Sequence, residues 1–364
     1  MLTHVLFFIL GLGALVAGAE ALVRGASKIA LSLGISPLVV GLTIVAVGTS
    51  SPEVAVSVGA ALDGATDIAV GNVVGSNVFN VLFILGVSAM ITPLVVHSQI
   101  IRQEVPIMIG ASVVLAVMVV DDNLGRWESL LLLALLVAYM VFLVRQSRAE
   151  TAEIRDEYDG AVRRNGAWDS HWAVQGLLIL VGLGLLVLGS EWLVDAAVAF
   201  ARALGVSDLV IGLTIIAAGT SMPEVATSIM AAVRGERDIA VGNVIGSNTF
   251  NILGCLGLSG LVSSHGLSIA PAVLNFDLWV MIAVAFACLP VFLLRNEIGR
   301  RRGLMFLVFY VAYVAYLILG AQEHDALEEY STVMLSFVLP ITVVTLVAMV
   351  IRGQTQPDDA ARRN

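Results

Sequence analysis

The sequence predicts an all-α, polytopic membrane protein: an inverted five-plus-five repeat of transmembrane helices with one additional helix at the C-terminal end. Three observations carry that expectation. The 364 residues are 59% hydrophobic and only 13% charged, with a mean hydropathy of +0.96, whereas soluble chains average about 25% charged. The stretch from Gly41 to Asn80 returns from Gly212 to Asn251 at a constant offset of 171, and twelve mismatches leave 28 identities in 40 positions. Of the 19 Lys and Arg residues, 17 fall in loops that share one side of the membrane.

Composition also excludes. A formal net charge of −9, dispersed in short loops, is unsuited to a phosphate-binding surface, so no nucleic-acid partner is expected. The partner implied is the lipid bilayer. Cys255 and Cys288 both lie in apolar runs, which argues against a disulfide framework. Sequence gives no hold on oligomeric state.

A spanning helix needs about 20 mostly apolar residues. Hydropathy and turn residues place spans near 4–23, 37–62, 68–92, 103–120, 127–144, 173–200, 208–233, 239–262, 272–294, 303–321 and 331–351, about eleven in all. The chain thus divides into a first five-helix repeat (1–144), a polar linker (145–171), a second repeat (172–321) and an extra helix with a tail (322–364). The N-terminal apolar run follows Met-Leu-Thr-His and lacks the basic start of a signal peptide. Its Gly18-Ala19-Glu20 returns as Gly189-Ser190-Glu191, so it is expected to stay as part of the fold.

Basic residues orient the spans. Arg24, Lys28, Arg102, Arg145, Arg148, Arg155, Arg163, Arg164, Arg234, Arg237, Arg295, Arg300, Arg301, Arg302, Arg352, Arg362 and Arg363 gather on one side, leaving Arg126 and Arg202 on the other. This puts the N-terminus outside and the C-terminus in the cytoplasm, in the cytoplasmic (inner) membrane. An odd number of spans separates the two copies, so they cross in opposite directions. Their mismatches agree: Asp63, Ala65 and Thr66 of one loop become Arg234, Glu236 and Arg237 of the other. Inverted repeats of this kind build binding sites near the bilayer midplane.

Within each copy, Gly-Thr-Ser-x-Pro-Glu falls inside a long span. Proline frees backbone carbonyls, and in lipid such groups have to be buried in protein or line a cavity. Thr49, Ser50, Thr220 and Ser221 add hydroxyls beside the break. Glu53 and Glu224 place a carboxylate at membrane depth, which costs on the order of 2.5–3.5 kcal/mol each when charged. No intramembrane Lys or Arg of the repeats neutralises them. Two carboxylates with hydroxyl and carbonyl oxygens make a hard, all-oxygen site suited to Ca²⁺.

The second motif, Gly-Asn-Val-Val/Ile-Gly-Ser-Asn-x-Phe-Asn, occupies the next span. Asn72, Ser76 and Asn80 recur at i, i+4 and i+8 along one helix face, and Asn243, Ser247 and Asn251 repeat them. Gly71, Gly75, Gly242 and Gly246 form small-xxx-small faces for close helix packing. Glu20 and Glu191 are weaker site candidates, because an ion pair with a neighbour such as Arg24 explains Glu20 equally well. There is no His-Glu-x-x-His, no nucleotide-binding Gly-Lys-Ser/Thr and no Ser/His/Asp arrangement, so no enzyme and no cofactor are expected.

The paired motifs resemble the α-repeats of the cation/Ca²⁺ exchanger superfamily, close to its prokaryotic sodium/calcium exchangers. The resemblance covers both repeats and the ten-helix plan. It implies that Glu53 and Glu224 bind Ca²⁺ with Thr49 and Thr220, that Asn80 contributes at the centre, and that Asn251 stands at the matching position. It further implies flanking Na⁺ sites at Ala46, Ser50 and Ser76 on one side and at Ala217, Ser221 and Ser247 on the other. Asn251 is often aspartate in that superfamily, and potassium-dependent members commonly carry an aspartate at the end of such a motif. Both positions are asparagine here, which speaks against K⁺ coupling. The expectation is Na⁺/Ca²⁺ antiport by alternating access, electrogenic and K⁺-independent, with the first and sixth spans sliding over the core. A proton/Ca²⁺ antiporter of the same fold is the alternative, and a passive cation channel a more distant one.

Overall fold

The computed structural model describes residues 2–162, 171–294, 296–324, 326–338, 340–345 and 347. The helices are α1 (Leu2–Leu33), α2 (Pro37–Thr49), α3 (Ser51–Leu62), α4 (Thr66–Ile91), α5 (Ile100–Met118), α6 (Arg126–Val162), α7 (Trp172–Ala203), α8 (208–219), α9 (Met222–Arg234), α10 (Arg237–Val262), α11 (Val273–Leu293), α12 (Arg300–Ala321) and α13 (Ala326–Thr345). Among the described residues nine helices are long and apolar enough to cross a membrane, and the pair α2 and α3, bent by 44°, makes a tenth crossing. Its second-half counterpart, α8 and α9, is interrupted at the equivalent Thr220 and Ser221. The segment expected as a linker begins as a continuation of α6 to Val162. The rest of the linker (163–170), the tail beyond 347 and Arg163, Arg164, Arg295, Arg352, Arg362 and Arg363 lie outside the described residues.

Two small ribbons reveal the inversion. Strands β1 (Leu94–Val95), β2 (Asn123–Leu124), β3 (Leu267–Ser268) and β4 (Glu297–Ile298) form two antiparallel pairs, β1 with β4 and β2 with β3. Each pair joins the loop after the third crossing of one half to the loop after the fourth crossing of the other. Within one half those two loops lie on opposite sides of the membrane. They meet across halves only if the halves are inverted.

The long helices α1 and α7 pack against each other along glycines. A Cβ on Gly18 would stand 2.8 Å from the carbonyl oxygen of Gly182, and one on Gly189 would stand 2.8 Å from that of Gly11. Backbones this close replace side-chain interdigitation with direct van der Waals contact, as small residues permit in membrane helices. The centre of the molecule belongs instead to α4 and α10. α10 is nearly enclosed, with 94% of its most apolar window buried, whereas α1 and α7 each bury 28%.

Wide π-type turns recur in pairs at 41–45 and 212–216, 80–85 and 251–256, and 100–104 and 273–277. Such turns often mark functional segments of helices. The last pair ends on carboxylates remote from the repeat motifs. Tyr139 donates to buried Glu104 over 2.8 Å, and Tyr313 donates to Asp277 over 2.8 Å.

Candidate functional site

The breaks at the motif follow from local chemistry. Ser36 caps α2, accepting from the Val39 amide, with Pro37 in the first turn. Ser207 does the same for α8 through the Val210 amide. At the far ends, Pro52 and Pro223 cannot continue a helix but are well suited to a first turn. Each chain therefore stops at Ser50 or Ser221 and begins again as α3 or α9. Glu53 and Glu224 then sit in the first turns of new helices, where unpaired amides and the helix dipole favour negative charge.

The spacing Ser-x-x-Glu would normally close a capping box within one helix. Here the serines make no cap. The Ser50 hydroxyl donates to Glu224 Oε1 over 3.0 Å, and the Ser221 hydroxyl to Glu53 Oε1 over 2.8 Å. The threonines cross as well: Thr49 donates to Asn243 Oδ1 (3.1 Å) and Thr220 to Asn72 Oδ1 (3.2 Å). Every one of these contacts has an image at the repeat offset, so the pseudo-twofold axis passes through the cluster. Glu53 and Glu224 are both fully buried.

Four asparagines close the centre. Asn80 Nδ2 donates to Asn248 Oδ1 (3.0 Å), and Asn251 Nδ2 to Asn77 Oδ1 (3.3 Å). The amides of Asn77 and Asn248 in turn donate to each other's backbone carbonyls, at 3.4 and 3.2 Å. With their nitrogens held, Asn80 and Asn251 each keep a buried Oδ1 with no hydrogen-bond partner, as do Glu53 and Glu224 at Oε2. Buried polar atoms are rarely left unpaired in proteins. Two carboxylate and two amide oxygens, one of each from either half, are thus left without a hydrogen-bond partner. Asn77 and Asn248 went unremarked among the sequence candidates. Their identity in both copies, three residues before Asn80 and Asn251, is the signal that marks them.

Four expectations change. Ser76 was grouped with Ala46 and Ser50, and Ser247 with Ala217 and Ser221. The structure exchanges the pair: the Ser76 hydroxyl lies within hydrogen-bond distance of the Ser221 hydroxyl (3.1 Å), while Ser247 donates to the Ala46 carbonyl (3.5 Å). Inversion is the reason, since it lays α10 against α2 and leaves α4 to face α8. Asn72 and Asn243 do not offer free oxygens, because the threonines of the opposite half occupy them. Close packing holds for Gly242 and Gly246, but a Cβ on Gly71 or Gly75 would meet nothing within 4 Å. Glu20, whose near neighbour in sequence is Arg24, pairs with Arg234 of the second half.

Comparison with known proteins agrees with the geometry. The sequence model of the family described as sodium/calcium exchanger protein matches residues 3–145 and 174–319. The sodium/calcium exchanger MaX1 of Methanosarcina acetivorans is 35% identical, over 86% of this chain and 97% of its own length. The inner membrane protein YrbG of Escherichia coli is 35% identical over 79% of this chain and 89% of its own. A solved structure of the sodium-calcium exchanger NCX_Mj superposes with a TM-score of 0.73 at 30% identity, covering 86% of this chain and 98% of that one.

Proposed function

Because the chain belongs to the sodium/calcium exchanger family, in which cation/Ca²⁺ antiport is the shared activity, we propose that it exchanges Na⁺ for Ca²⁺ by alternating access. The observation that carries this reading is the set of four unpartnered oxygens on Glu53, Glu224, Asn80 and Asn251. Ca²⁺, which takes about 6–8 oxygen ligands, is held there by both carboxylates and both amides. Thr49 and Thr220 have their hydroxyls engaged by asparagines, which leaves their backbone carbonyls for the ion. Na⁺ ions occupy flanking positions, one built from Ala46, Ser50, Ser247 and Glu224, the other from Ala217, Ser221, Ser76 and Glu53. Both ions need the same two carboxylates, so each displaces the other and transport is coupled.

The charge distribution in the loops supports an N-terminus outside and a cytoplasmic C-terminus. The pair α1 and α7 moves as one body over the core formed by the other eight crossings, and α13 lies outside that exchange machinery. An exchange that carries one net charge per cycle responds to voltage by about 2.3 kcal/mol per 100 mV. The test is ⁴⁵Ca²⁺ uptake into proteoliposomes under Na⁺, K⁺ and H⁺ gradients imposed one at a time. Uptake is expected only with a Na⁺ gradient. Uptake driven by a pH gradient without Na⁺ reassigns the coupling ion to the proton, and uptake indifferent to every counter-gradient marks a passive pathway.

A further inference from the structure

We infer that Asn77 and Asn248 are positioning residues of the cation site, which hold the amides of Asn251 and Asn80 with their oxygens turned toward the cage. This rests on the cation-site reading above, though not on which ion couples to Ca²⁺.

A carboxamide presents oxygen at one end and NH₂ at the other, and the two ends are nearly equal in size. A cation cage works only with the oxygen inward, because the reversed amide points two N–H donors at a positive ion. Nothing about Asn80 or Asn251 alone chooses between the two. A backbone carbonyl has no such freedom, since its direction is set by the helix. The structure transmits that fixed polarity in two steps. The Asn248 carbonyl accepts from Asn77 Nδ2, so Asn77 Oδ1 faces the other way. That oxygen accepts from Asn251 Nδ2, so Asn251 Oδ1 is delivered to the cage. The mirror path runs from the Asn77 carbonyl through Asn248 to Asn80.

Reversing Asn77 would set its oxygen against a carbonyl and its nitrogen against the nitrogen of Asn251. Two repulsive contacts would replace two hydrogen bonds. The amide nitrogens are further backed by sulfur, Asn77 by Met281 at 3.5 Å and Asn248 by Met108 at 3.6 Å. Those methionines come from α11 and α5, so the orientation is enforced from behind as well as across the axis. An ionised aspartate in its place could accept from the neighbour but could not donate to the carbonyl.

The test exploits a carboxylate's two equivalent oxygens, which leave it no wrong way round. Ca²⁺ binding to purified full-length protein is measured by titration calorimetry for wild type, Asn77→Ala, Asn251→Asp and the double variant, with thermal unfolding to verify that each is folded. Asn77→Ala is expected to weaken Ca²⁺ binding roughly tenfold beside the native Asn251, the worth of one lost charge-oriented hydrogen bond. In the Asn251→Asp background the same substitution is expected to cost nothing or to tighten binding, because no amide remains to be oriented and the Asn77 oxygen that would face the carboxylate is removed. The mirror pair, Asn248→Ala with Asn80→Asp, repeats the cycle where the first pair is poorly folded. Equal losses in both backgrounds make Asn77 a packing residue and overturn the assignment, as does an Asn77→Ala protein that binds Ca²⁺ like wild type. Wild-type protein that binds no Ca²⁺ sinks the cation site itself, and the inference with it.

Discussion

The two halves share their chemistry but not their packing. In the first half α2 lies hard against α10: a Cβ on Gly246 would stand 2.7 Å from the Leu42 carbonyl oxygen, and one on Gly41 3.1 Å from Ile239 Cα. At the equivalent contact of the second half, Gly75 and Gly212 have nothing within 4 Å. Ala46 is fully buried and Ala217 is exposed; Thr49 is buried and Thr220 only partly so. α1 packs along α9, whereas α7 makes no comparable packing with α3. Near-identical sequences have thus settled into two packings, tight at α2 and loose at α8. On the alternating-access reading proposed above, exchanging those packings between halves would turn the looser approach to the other side of the membrane. The hydrogen bonds at the axis are symmetric, whereas the packing that flanks them is not.

The largest effect is expected where the halves agree. Glu53→Gln and Glu224→Gln should each abolish exchange, a loss on the order of 100-fold or more, comparable with removing one charge of a buried pair. Near-normal ⁴⁵Ca²⁺ flux in either variant would remove that residue from the site. Next comes accessibility. A membrane-impermeant thiol reagent applied from the side of α8 should modify Ala217→Cys readily and Ala46→Cys hardly at all, with native Cys255 and Cys288 silent because both are buried. Equal labelling of the two would erase the distinction between approaches.

Smaller effects distinguish the glycines. Gly246→Ala should destabilise the present arrangement by about 1–3 kcal/mol, the usual cost of overpacking, visible as a lower Tm. Gly75→Ala should leave Tm nearly unchanged yet slow turnover, because the counterpart state closes α8 onto α4 and needs Gly75 bare. A Gly75→Ala protein with full turnover argues against that closure. The smallest effect belongs to the ion pair of Glu20 with Arg234, which links α1 to the end of α9. Both side chains are more than a third exposed, 36% and 39%, so the pair contributes about 0.2–1 kcal/mol. The positions equivalent to Glu20 and Arg234 in the other half are Glu191 and Asp63, two acids that cannot form such an ion pair. Arg234→Gln should shift the balance toward the opposite-facing state by a few-fold at most, read as faster labelling of Ala46→Cys in that background.

Much of this was legible in the sequence because the relevant signals are local or periodic. Span positions follow from runs of apolar residues. The breaks follow from proline beside serine, since an imide cannot donate wherever it sits in the fold. Inversion follows from an odd number of crossings between copies, and the charge swap at Asp63 and Arg234 records the same fact. The identities of Glu53, Glu224, Asn80 and Asn251 were readable too, because buried ionisable and amide groups are costly and stand out in apolar helices.

What stayed hidden depends on which surfaces meet. The family resemblance groups Ser76 with Ser50, but antiparallel inversion brings it to Ser221. It offered Asn72 as a free oxygen, although the threonine that occupies it comes from 148 residues away. It treated the four motif glycines alike, and only packing separates Gly246 from Gly75. It passed over Asn77 and Asn248, whose roles exist only because two helix carbonyls approach across the axis. Membrane class, duplication, inversion and the oxygen-bearing residues are each written in composition, periodicity and charge. Which oxygens are left unpaired, which half supplies each hydroxyl and which helix packs tightly depend on contacts between the halves, because an inverted repeat carries nearly the same local code in both and breaks its symmetry only through those contacts.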